Sequence, residues 1–264
     1  MKRAASHQEH IDRLNIAVKV DNISVTYDGK PVLLDINLEI PSGAVMALIG
    51  PNNAGKTTLL KTILGLIKPH MGKVYIFSRP ALTLRNDTAW IPEKSSVDWS
   101  FPTTVYDVAV MGSYNRLKLK EKPKKSDKEL TLEALEKTGL IDLRKKPIGE
   151  ISNSHRQRLL IARALVQNPR IYVMDEPFFT ADDETSAIVL NIVDDLKKTG
   201  KTVIASHHDI LTTPAYFDMA ALLNVRIITA GSLNTVFQEE AVKSAYGNKS
   251  DFIKILAPEI NDAK

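Results

Sequence analysis

Apolar and polar residues alternate in the N-terminal part of the chain, and this two-residue period is typical of half-buried β-strands. The alternation predicts one strand through residues 18–20 and 23–27 and a second strand over residues 32–40. The segment between them, Asp28-Gly29-Lys30, has the composition of a turn, so we expect the two strands to form a hairpin. The next run, residues 45–49, is apolar at every position, which is typical of a strand buried on both faces.

Helical spacing of apolar residues follows over residues 57–67, after a loop that contains glycine. Two further apolar strands are predicted at residues 171–174 and 202–205, and a helical pattern over residues 183–198 connects them. Strands that alternate with helices are joined by right-handed crossovers and form a parallel sheet. The predicted fold class is therefore α/β, with a parallel sheet and an antiparallel N-terminal part.

Helical patterns dominate from about residue 95 to residue 155, most clearly over residues 105–114 and 127–139. This change of character predicts a helical subdomain inserted into the α/β domain. We expect the whole domain to occupy residues 16–250, with short tails at 1–15 and 251–264. No internal repeat is visible.

Composition narrows the function classes further. The 264 residues are 44% hydrophobic and 25% charged, which is ordinary for a globular protein and excludes a largely disordered chain. No apolar run approaches the ~18 residues that a membrane span needs, and the first fifteen residues lack the apolar core of a secretory signal. The chain has no cysteine, which excludes disulfides and thiol catalysis and fits a cytoplasmic protein. A net charge of +4 is too small to predict a nucleic-acid partner.

One segment, residues 116–128, carries seven Lys and Arg residues against Glu121 and Asp127. We interpret this basic segment as a solvated loop between helices. A surface that faces acidic lipid or a partner is the alternative.

The loop before the first predicted helix matches the pattern G-x-x-x-x-G-K-[ST]. Its glycines let backbone N–H groups curl around phosphate oxygens, and the following helix points its positive end at the same anion. Lys56 would bridge the β- and γ-phosphates of ATP, and the Thr57 hydroxyl would bind Mg²⁺. Asn53 stands where glycine is frequent, and asparagine tolerates left-handed backbone angles well. The candidate ATP-binding residues of this loop are Gly50, Pro51, Asn52, Asn53, Ala54, Gly55, Lys56, Thr57 and Thr58.

Acidic residues and a histidine follow the two later strands. Asp175 and Glu176 end the strand at 171–174, and an isolated pair there would usually begin a loop or cap a helix. Beside a phosphate-binding loop, Asp175 instead fits a carboxylate that contacts Mg²⁺ either directly or through its bound water. Glu176 fits the general base that activates water. His208 follows the next strand and could reach the γ-phosphate, because ligands of α/β proteins bind at the carboxyl edge of the sheet.

These motifs together resemble the ATP-binding cassette (ABC) ATPases, which have a P-loop NTPase core. The resemblance covers about residues 16–250 and is strongest to the ATPase subunits of manganese, zinc and iron uptake systems. It rests on SSVDWSFPTTV at residues 95–105, on Asp107-Val108 and Met111-Gly112, and on Ala245-Tyr246-Gly247.

The resemblance assigns further roles. It implies that Tyr27 stacks on adenine, although the strand pattern alone favours a core residue. It places Asp182 on a loop that communicates across a dimer and makes His208 the switch histidine, with His207 beside it. It implies that two copies form a head-to-tail homodimer with two ATP molecules between them, on the inner face of the cell membrane. The implied partners are integral membrane permease subunits and, indirectly, a substrate-binding protein, but no nucleic acid.

The chain departs from the family pattern at three sites. Thr180 replaces a frequent small residue before the dimer-contact loop. Glu93 stands where the family has glutamine, and a carboxylate can bind Mg²⁺ but cannot donate a hydrogen bond. The family signature LSGGQ, which contacts the γ-phosphate held by the other subunit, is replaced by residues 151–155. Ser152 keeps a good helix cap, while Asn153 and Ser154 replace two glycines and His155 replaces glutamine. The departures predict a weakened closed dimer. The alternative function is therefore a cassette that binds ATP but hydrolyses it slowly or not at all, in a regulatory or structural role.

Overall fold

The structure is a computed structural model that describes residues 16–83, 85–118, 121–178 and 182–246. Both predicted tails, Thr180 and Gly247 lie outside these residues. The chain divides into two compact units. The first unit is formed by Met1–Leu84 and Thr202–Lys264, and the second by Arg85–Lys201. None of the helices in the described ranges has the length and apolar character that crossing a membrane requires.

The described elements agree in type with the predicted ones. The strands are β1 (Ile16–Tyr27), β2 (Lys30–Pro41), β3 (Val45–Ile49), β4 (Met71–Ile76), β5 (Arg79–Pro80), β6 (Thr88–Ile91), β7 (Ile171–Met174), β8 (Thr202–His207), β9 (Met219–Asn224) and β10 (Arg226–Ser232). The α-helices are α1 (Lys56–Ile63), α2 (Val105–Val110), α3 (Lys125–Lys137), α4 (Asn153–Gln167), α5 (Asp183–Lys198), α6 (Thr213–Tyr216), α7 (Leu233–Val236) and α8 (Glu239–Tyr246).

The first unit begins with the predicted hairpin. β1 and β2 are antiparallel, and β4 and β5 extend the sheet in the order β2-β1-β4-β5. Val18, Val20 and Ile23 are buried, while Lys19 and Asp21 between them are exposed, so the alternation in the sequence corresponds to the two faces of the sheet.

The first unit also contains the strands that carry the glycine loop. They lie in the order β10-β9-β3-β8, with β3 parallel to both β9 and β8. Every residue of β3 is buried, as its uninterrupted apolar run predicts. Ile49 at the end of β3 pairs with His207 at the end of β8. The loop after β3 and the histidines of β8 therefore share one edge of the sheet.

The second unit pairs β6 with β7 in parallel, and Ile91 lies opposite Met174. Its helices pack around an apolar cluster to which α2, α3 and α4 contribute. The cluster includes Val105, Ala109, Ala134, Leu135, Leu159, Ala162 and Val166. The residues between 95 and 155 are thus largely helical, while their status as a separate subdomain stays a prediction.

Three helices have boundaries that differ from the predicted ones. α3 spans Lys125–Lys137 rather than residues 127–139. α1 ends at Ile63 rather than residue 67, because Leu66 is apolar but 60% exposed and takes no part in the helical face. The predicted helix over 105–114 is α-helical only to Val110 and continues as a 3₁₀ helix over Met111–Arg116.

Candidate functional site

The glycine loop after β3 needs glycine at both of its ends. A Cβ atom on Gly50 would lie 2.0 Å from the carbonyl oxygen of Leu223, so only glycine allows this close approach. Gly55 has a φ of 99°, and a Cβ atom there would lie 2.7 Å from Cδ2 of Leu33. Asn53 has a φ of 65°, which confirms that asparagine takes the left-handed conformation here.

Lys56 begins α1 and is held against the loop. It is 8% exposed, and its Nζ donates hydrogen bonds to the carbonyl oxygens of Gly50 at 2.9 Å and Pro51 at 3.2 Å. The first turn of α1 contains no acidic residue, so no carboxylate of that turn neutralises the positive end of the helix dipole. Thr57 and Thr58 follow in the same turn and are half-buried. The Lys56 cation, the N–H groups of the first turn of α1 and the two threonine hydroxyls together suit a polyphosphate.

The end of β8 carries the two histidines at the same sheet edge. His207 is 2% exposed, and its Nε2 lies 2.8 Å from Oγ1 of Thr212. The pKa of His207 is lowered to about 4, first by burial and then by the neighbouring charge of His208. His207 is therefore neutral at physiological pH, and Thr212 fixes its ring. His208 is exposed, with its ring centroid 5.5 Å from that of His207.

A turn stabilised by Asp209 follows the histidines. Its carboxylate accepts hydrogen bonds from the N–H of Leu211 at 2.9 Å and from Oγ1 of Thr212 at 3.0 Å. Asp209 and Thr212 were not among the residues predicted to matter. Aspartate commonly begins a turn by accepting hydrogen bonds from residues two and three positions later. The sequence therefore does contain this turn signal.

Tyr27 ends β1, where it pairs with Lys30 across the hairpin turn. Its side chain is 46% exposed. The strand pattern alone favoured a core position, and that interpretation is wrong because Tyr27 lies next to the turn of the hairpin, where its ring is open to solvent. Its stacking on adenine stays a prediction.

In the second unit, the acidic candidates meet at the ends of β6 and β7. Because Ile91 pairs with Met174, Glu93 and Asp175 follow adjacent strand ends. The N–H of Asp175 donates to the carbonyl oxygen of Ile91 at 2.9 Å, and the Asp175 side chain is 4% exposed. Glu176 is half-buried, with a φ of 47°, an unusual backbone conformation for glutamate. The structure therefore brings the three carboxylates of Glu93, Asp175 and Glu176 to one edge of this strand pair.

The signature segment lies on a different element, the start of α4. Ser152 is the N-cap residue, and its Oγ accepts a hydrogen bond from the N–H of His155 at 3.2 Å, as predicted for a cap. Asn153 and Ser154 are the first two helical residues. A helical backbone accepts a Cβ atom, so this conformation does not itself require the two glycines of the family pattern. Burial is the main cause that lowers the pKa of His155.

Asp182 caps the next helix, α5. Its Oδ1 accepts a hydrogen bond from the N–H of Thr185 at 2.7 Å. The pKa of Asp182 is lowered to about 2, first by hydrogen bonding from the Ser154 side chain and then by hydrogen bonds from Thr185. The structure thus brings Asp182 together with Ser154 of the signature segment.

A buried arginine also links these two helices, and the sequence analysis missed it. Arg158 of α4 has a side chain that is 3% exposed, and its Nη1 lies 3.0 Å from Oε1 of Glu184 in the first turn of α5. No periodicity in the sequence signals a pair of charges that lie 26 residues apart on different helices.

The basic segment differs in part from the predicted solvated loop. Arg116 donates hydrogen bonds to the carbonyl oxygens of Val166 and Gln167, both at 2.9 Å, and to the carboxylate of Asp127 at 2.9 Å. Asp127 is 6% exposed, and hydrogen bonding from Arg116 is the main cause that lowers its pKa. The solvated interpretation is therefore wrong for Asp127, which is buried and is joined by Arg116 to the end of α4. Exposed side chains of the segment include those of Lys118, Lys122, Lys124, Lys125 and Lys128.

Comparison with known proteins identifies the family. The family model described as ABC transporter matches residues 33–179. The chain is 43% identical over 237 residues to the manganese transport system ATP-binding protein MntB of Bacillus subtilis (strain 168), which covers 90% of this chain and 95% of that protein. It is 45% identical over 233 residues to the zinc transport system ATP-binding protein TroB of Treponema pallidum (strain Nichols), with 88% of each chain covered.

Solved structures agree with this relationship. A metal-chelate type ABC transporter in an inward-facing conformation superposes with a TM-score of 0.77 at 26% identity, covering 88% of this chain and 89% of that chain. A dimeric ATP-binding cassette in a post-hydrolysis state, bound to ADP and Pi, gives a TM-score of 0.72 at 25% identity and covers 82% and 98%. The predicted P-loop NTPase fold is confirmed, and the chain belongs to the ABC transporter family.

Proposed function

We propose that this chain is the ATP-hydrolysing subunit of an ABC importer for a metal ion. The observation that carries the proposal is the loop closed by Lys56, whose ammonium group is bonded to the Gly50 carbonyl at the edge of the sheet. The names of relatives support a metal ion as the transported substrate, because they give manganese in Bacillus subtilis, zinc in Treponema pallidum and chelated iron in Yersinia pestis.

ATP binding follows from the chemistry of the first unit. The N–H groups of the loop and of the first turn of α1 surround phosphate oxygens, and Lys56 neutralises the charge of the β- and γ-phosphates. Tyr27, exposed at the end of β1, offers its ring to the adenine base.

The oxygen donors that the family pattern assigns to Mg²⁺ suit this ion, because Mg²⁺ binds hydroxyl and carboxylate oxygens together with phosphate oxygens. The residues that would hold it are Thr57, Asp175 and Glu93. Asp175 is 4% exposed, and an oxygen donor at a position shielded from water suits a bound cation. When bound, the ion supplies charge neutralisation for the phosphates.

Hydrolysis requires a base and an in-line water. Glu176 accepts a proton from the water while the new O–P bond forms at the γ-phosphorus and the bond to the β-phosphate oxygen breaks, which yields ADP and phosphate. His208 is exposed at the end of β8, which pairs with the strand before the glycine loop, and from there it would reach the γ-phosphate.

Closure in a head-to-tail homodimer completes each site. The first turn of α4, capped by Ser152, presents its N–H groups to the γ-phosphate held by the partner subunit, and Asp182 faces the same junction. The chain then drives separate permease subunits from the inner face of the cell membrane, with a substrate-binding protein as an indirect partner.

The experiment is ATP turnover of the purified chain, alone and with its permease in lipid vesicles, together with uptake of Mn²⁺, Zn²⁺ and Fe²⁺. We expect turnover in both preparations and uptake of at least one of these metals that depends on ATP. Nucleotide binding without turnover in either preparation would contradict the proposal and indicate a cassette that only binds ATP.

A further inference from the structure

An aromatic and a cationic side chain meet next to the signature segment. Cζ of Arg156 lies 5.2 Å from the ring centroid of Trp99, which is within the range of a cation–π contact. Trp99 is half-buried, and its Nε1 donates a hydrogen bond to the carbonyl oxygen of Lys94 at 2.8 Å. The indole ring is therefore fixed at one edge by Lys94, while its ring contacts Arg156.

Arg156 lies in the first turn of α4 and has further partners there. Its Nη2 donates to the carbonyl oxygen of Gly149 at 3.2 Å, and its Nη1 lies 3.4 Å from Oδ1 of Asn153. Asn153 is one of the residues that replace a family glycine, and here its side chain accepts from the arginine. The guanidinium group thus joins the segment before Ser152 to the helix that Ser152 caps.

Trp99 belongs to the segment that follows Glu93. The carbonyl oxygen of Glu93 accepts hydrogen bonds from the N–H and Oγ of Ser96, at 3.0 and 2.7 Å, and these bonds form the short turn that contains Lys94. A continuous series of contacts therefore runs from Glu93 through Lys94 and Trp99 to Arg156 at the start of α4.

We propose that Trp99 and Arg156 are a pair of positioning residues that fix the first turn of α4 relative to the Glu93 segment. This inference rests on the proposed function, in which the N–H groups of that turn bind the γ-phosphate of the partner subunit. The N–H groups act only when they point at the phosphate, so a rotation of the turn weakens transition-state binding. Neither side chain touches the reacting atoms.

Steady-state ATP turnover of the full chain tests the pair through four variants. Trp99→Leu removes the aromatic face and keeps a smaller apolar side chain, while Trp99→Phe keeps an aromatic face. Arg156→Ala removes the cation, while Arg156→Lys keeps a cation at this position. We expect kcat to fall about tenfold for the Leu and Ala variants and KM for ATP to change less than twofold, because Lys56 and Tyr27 are unaltered. For the Phe and Lys variants, we expect the fall in log kcat to be at most half of that in the Leu and Ala variants.

Two measurements accompany the kinetics. The double variant Trp99→Leu/Arg156→Ala is expected to be no slower than the slower single variant, since both remove one contact. Lys125→Ala is the matched control, because it breaks an exposed pair with Glu129 at 3.8 Å and should keep the wild-type kcat. Thermal unfolding of each variant shows whether it is folded, and the Phe and Lys variants carry the test if the others are not.

Three outcomes would overturn the proposal. Wild-type kcat in the Leu and Ala variants would show that the contact positions nothing. Equal losses in the conservative variants, or losses that follow the unfolding temperature alone, would show a purely structural role. Absence of turnover in the wild type and in Lys125→Ala would overturn the proposed function and this inference together, whereas the first two outcomes would leave the proposed function standing.

Discussion

The ammonium nitrogen of Lys56 lies 2.9 Å from the carbonyl oxygen of Gly50, so the lysine at the end of the loop bonds back to the glycine that begins it. This contact holds a positive charge within the curve of the loop, next to the N–H groups at the start of α1. The charge and the N–H groups are thus preorganised for an anion before any ligand arrives.

Removal of this charge is expected to weaken nucleotide binding. Charge-assisted hydrogen bonds contribute about 1.5–3 kcal/mol each, so Lys56→Ala should raise the dissociation constant for ATP by roughly 10-fold or more. Titration calorimetry measures the constant. Lys68→Ala, at an exposed position after α1, is the control. An unchanged affinity in Lys56→Ala would contradict the assignment of the phosphate-binding loop.

The buried His207 predicts a pH dependence of folding stability. Its pKa is about 4 in the folded chain against 6.5 when unfolded, so the unfolded state binds more protons between these values. The stabilisation is fully present above pH 6.5 and is lost as the pH falls towards 4. Between pH 7 and pH 5 this linkage corresponds to about 2 kcal/mol.

Chemical denaturation of the wild type and of His207→Gln at both pH values checks this expectation. The variant cannot titrate, so its free energy of unfolding should fall by less than that of the wild type. Equal decreases in the two proteins would show that His207 does not titrate as its burial implies.

Arg116 is expected to act differently from the lysines around it. Arg116→Ala leaves the buried carboxylate of Asp127 without its guanidinium partner and should lower the free energy of unfolding by about 2 kcal/mol. The triple variant Lys118→Ala/Lys124→Ala/Lys125→Ala changes exposed side chains and should keep the turnover of the chain alone within about twofold. If the lysine variant is as unstable as Arg116→Ala, the structural distinction between them is wrong.

Restoration of the family pattern is expected to have different effects at Glu93 and at the signature segment. Glu93→Gln removes a like charge from the carboxylates at the ends of β6 and β7, and a gain of about 1.4 kcal/mol in transition-state stabilisation would raise turnover about tenfold. Asn153→Gly/Ser154→Gly places glycine in a helix, removes the acceptor for Arg156 and removes the hydroxyl next to Asp182, so we expect no gain in turnover.

The weakened closed dimer that the sequence predicts would instead make both restored variants faster than the wild type, since each glycine removes a Cβ atom near the phosphate. Turnover at saturating ATP for both variants and their combination decides between the two views. A faster glycine variant would restore the hypothesis of a signature weakened by its side chains.

Local rules account for the parts of the fold that the sequence predicted. The alternation in β1, the apolar run of β3 and the glycines of the loop each depend on neighbouring residues, and all three were found as expected. The contacts of Arg116, Arg158 and Trp99 join segments that are distant in sequence, and no local period encodes them. The length of α1 was overestimated for a related reason, because burial rather than apolar spacing decides where the helix ends.

Turnover of Glu176→Gln beside the wild type tests the claim that Glu176 is the base of ATP hydrolysis. The variant keeps the shape of the side chain but cannot accept the proton, so we expect a loss of at least about 100-fold in turnover, with ATP retained and a dimer gained on size-exclusion chromatography with Mg²⁺. Glu240→Gln, an exposed position on α8, should match the wild type. Wild-type turnover in Glu176→Gln, with no gain of dimer, would contradict the claim.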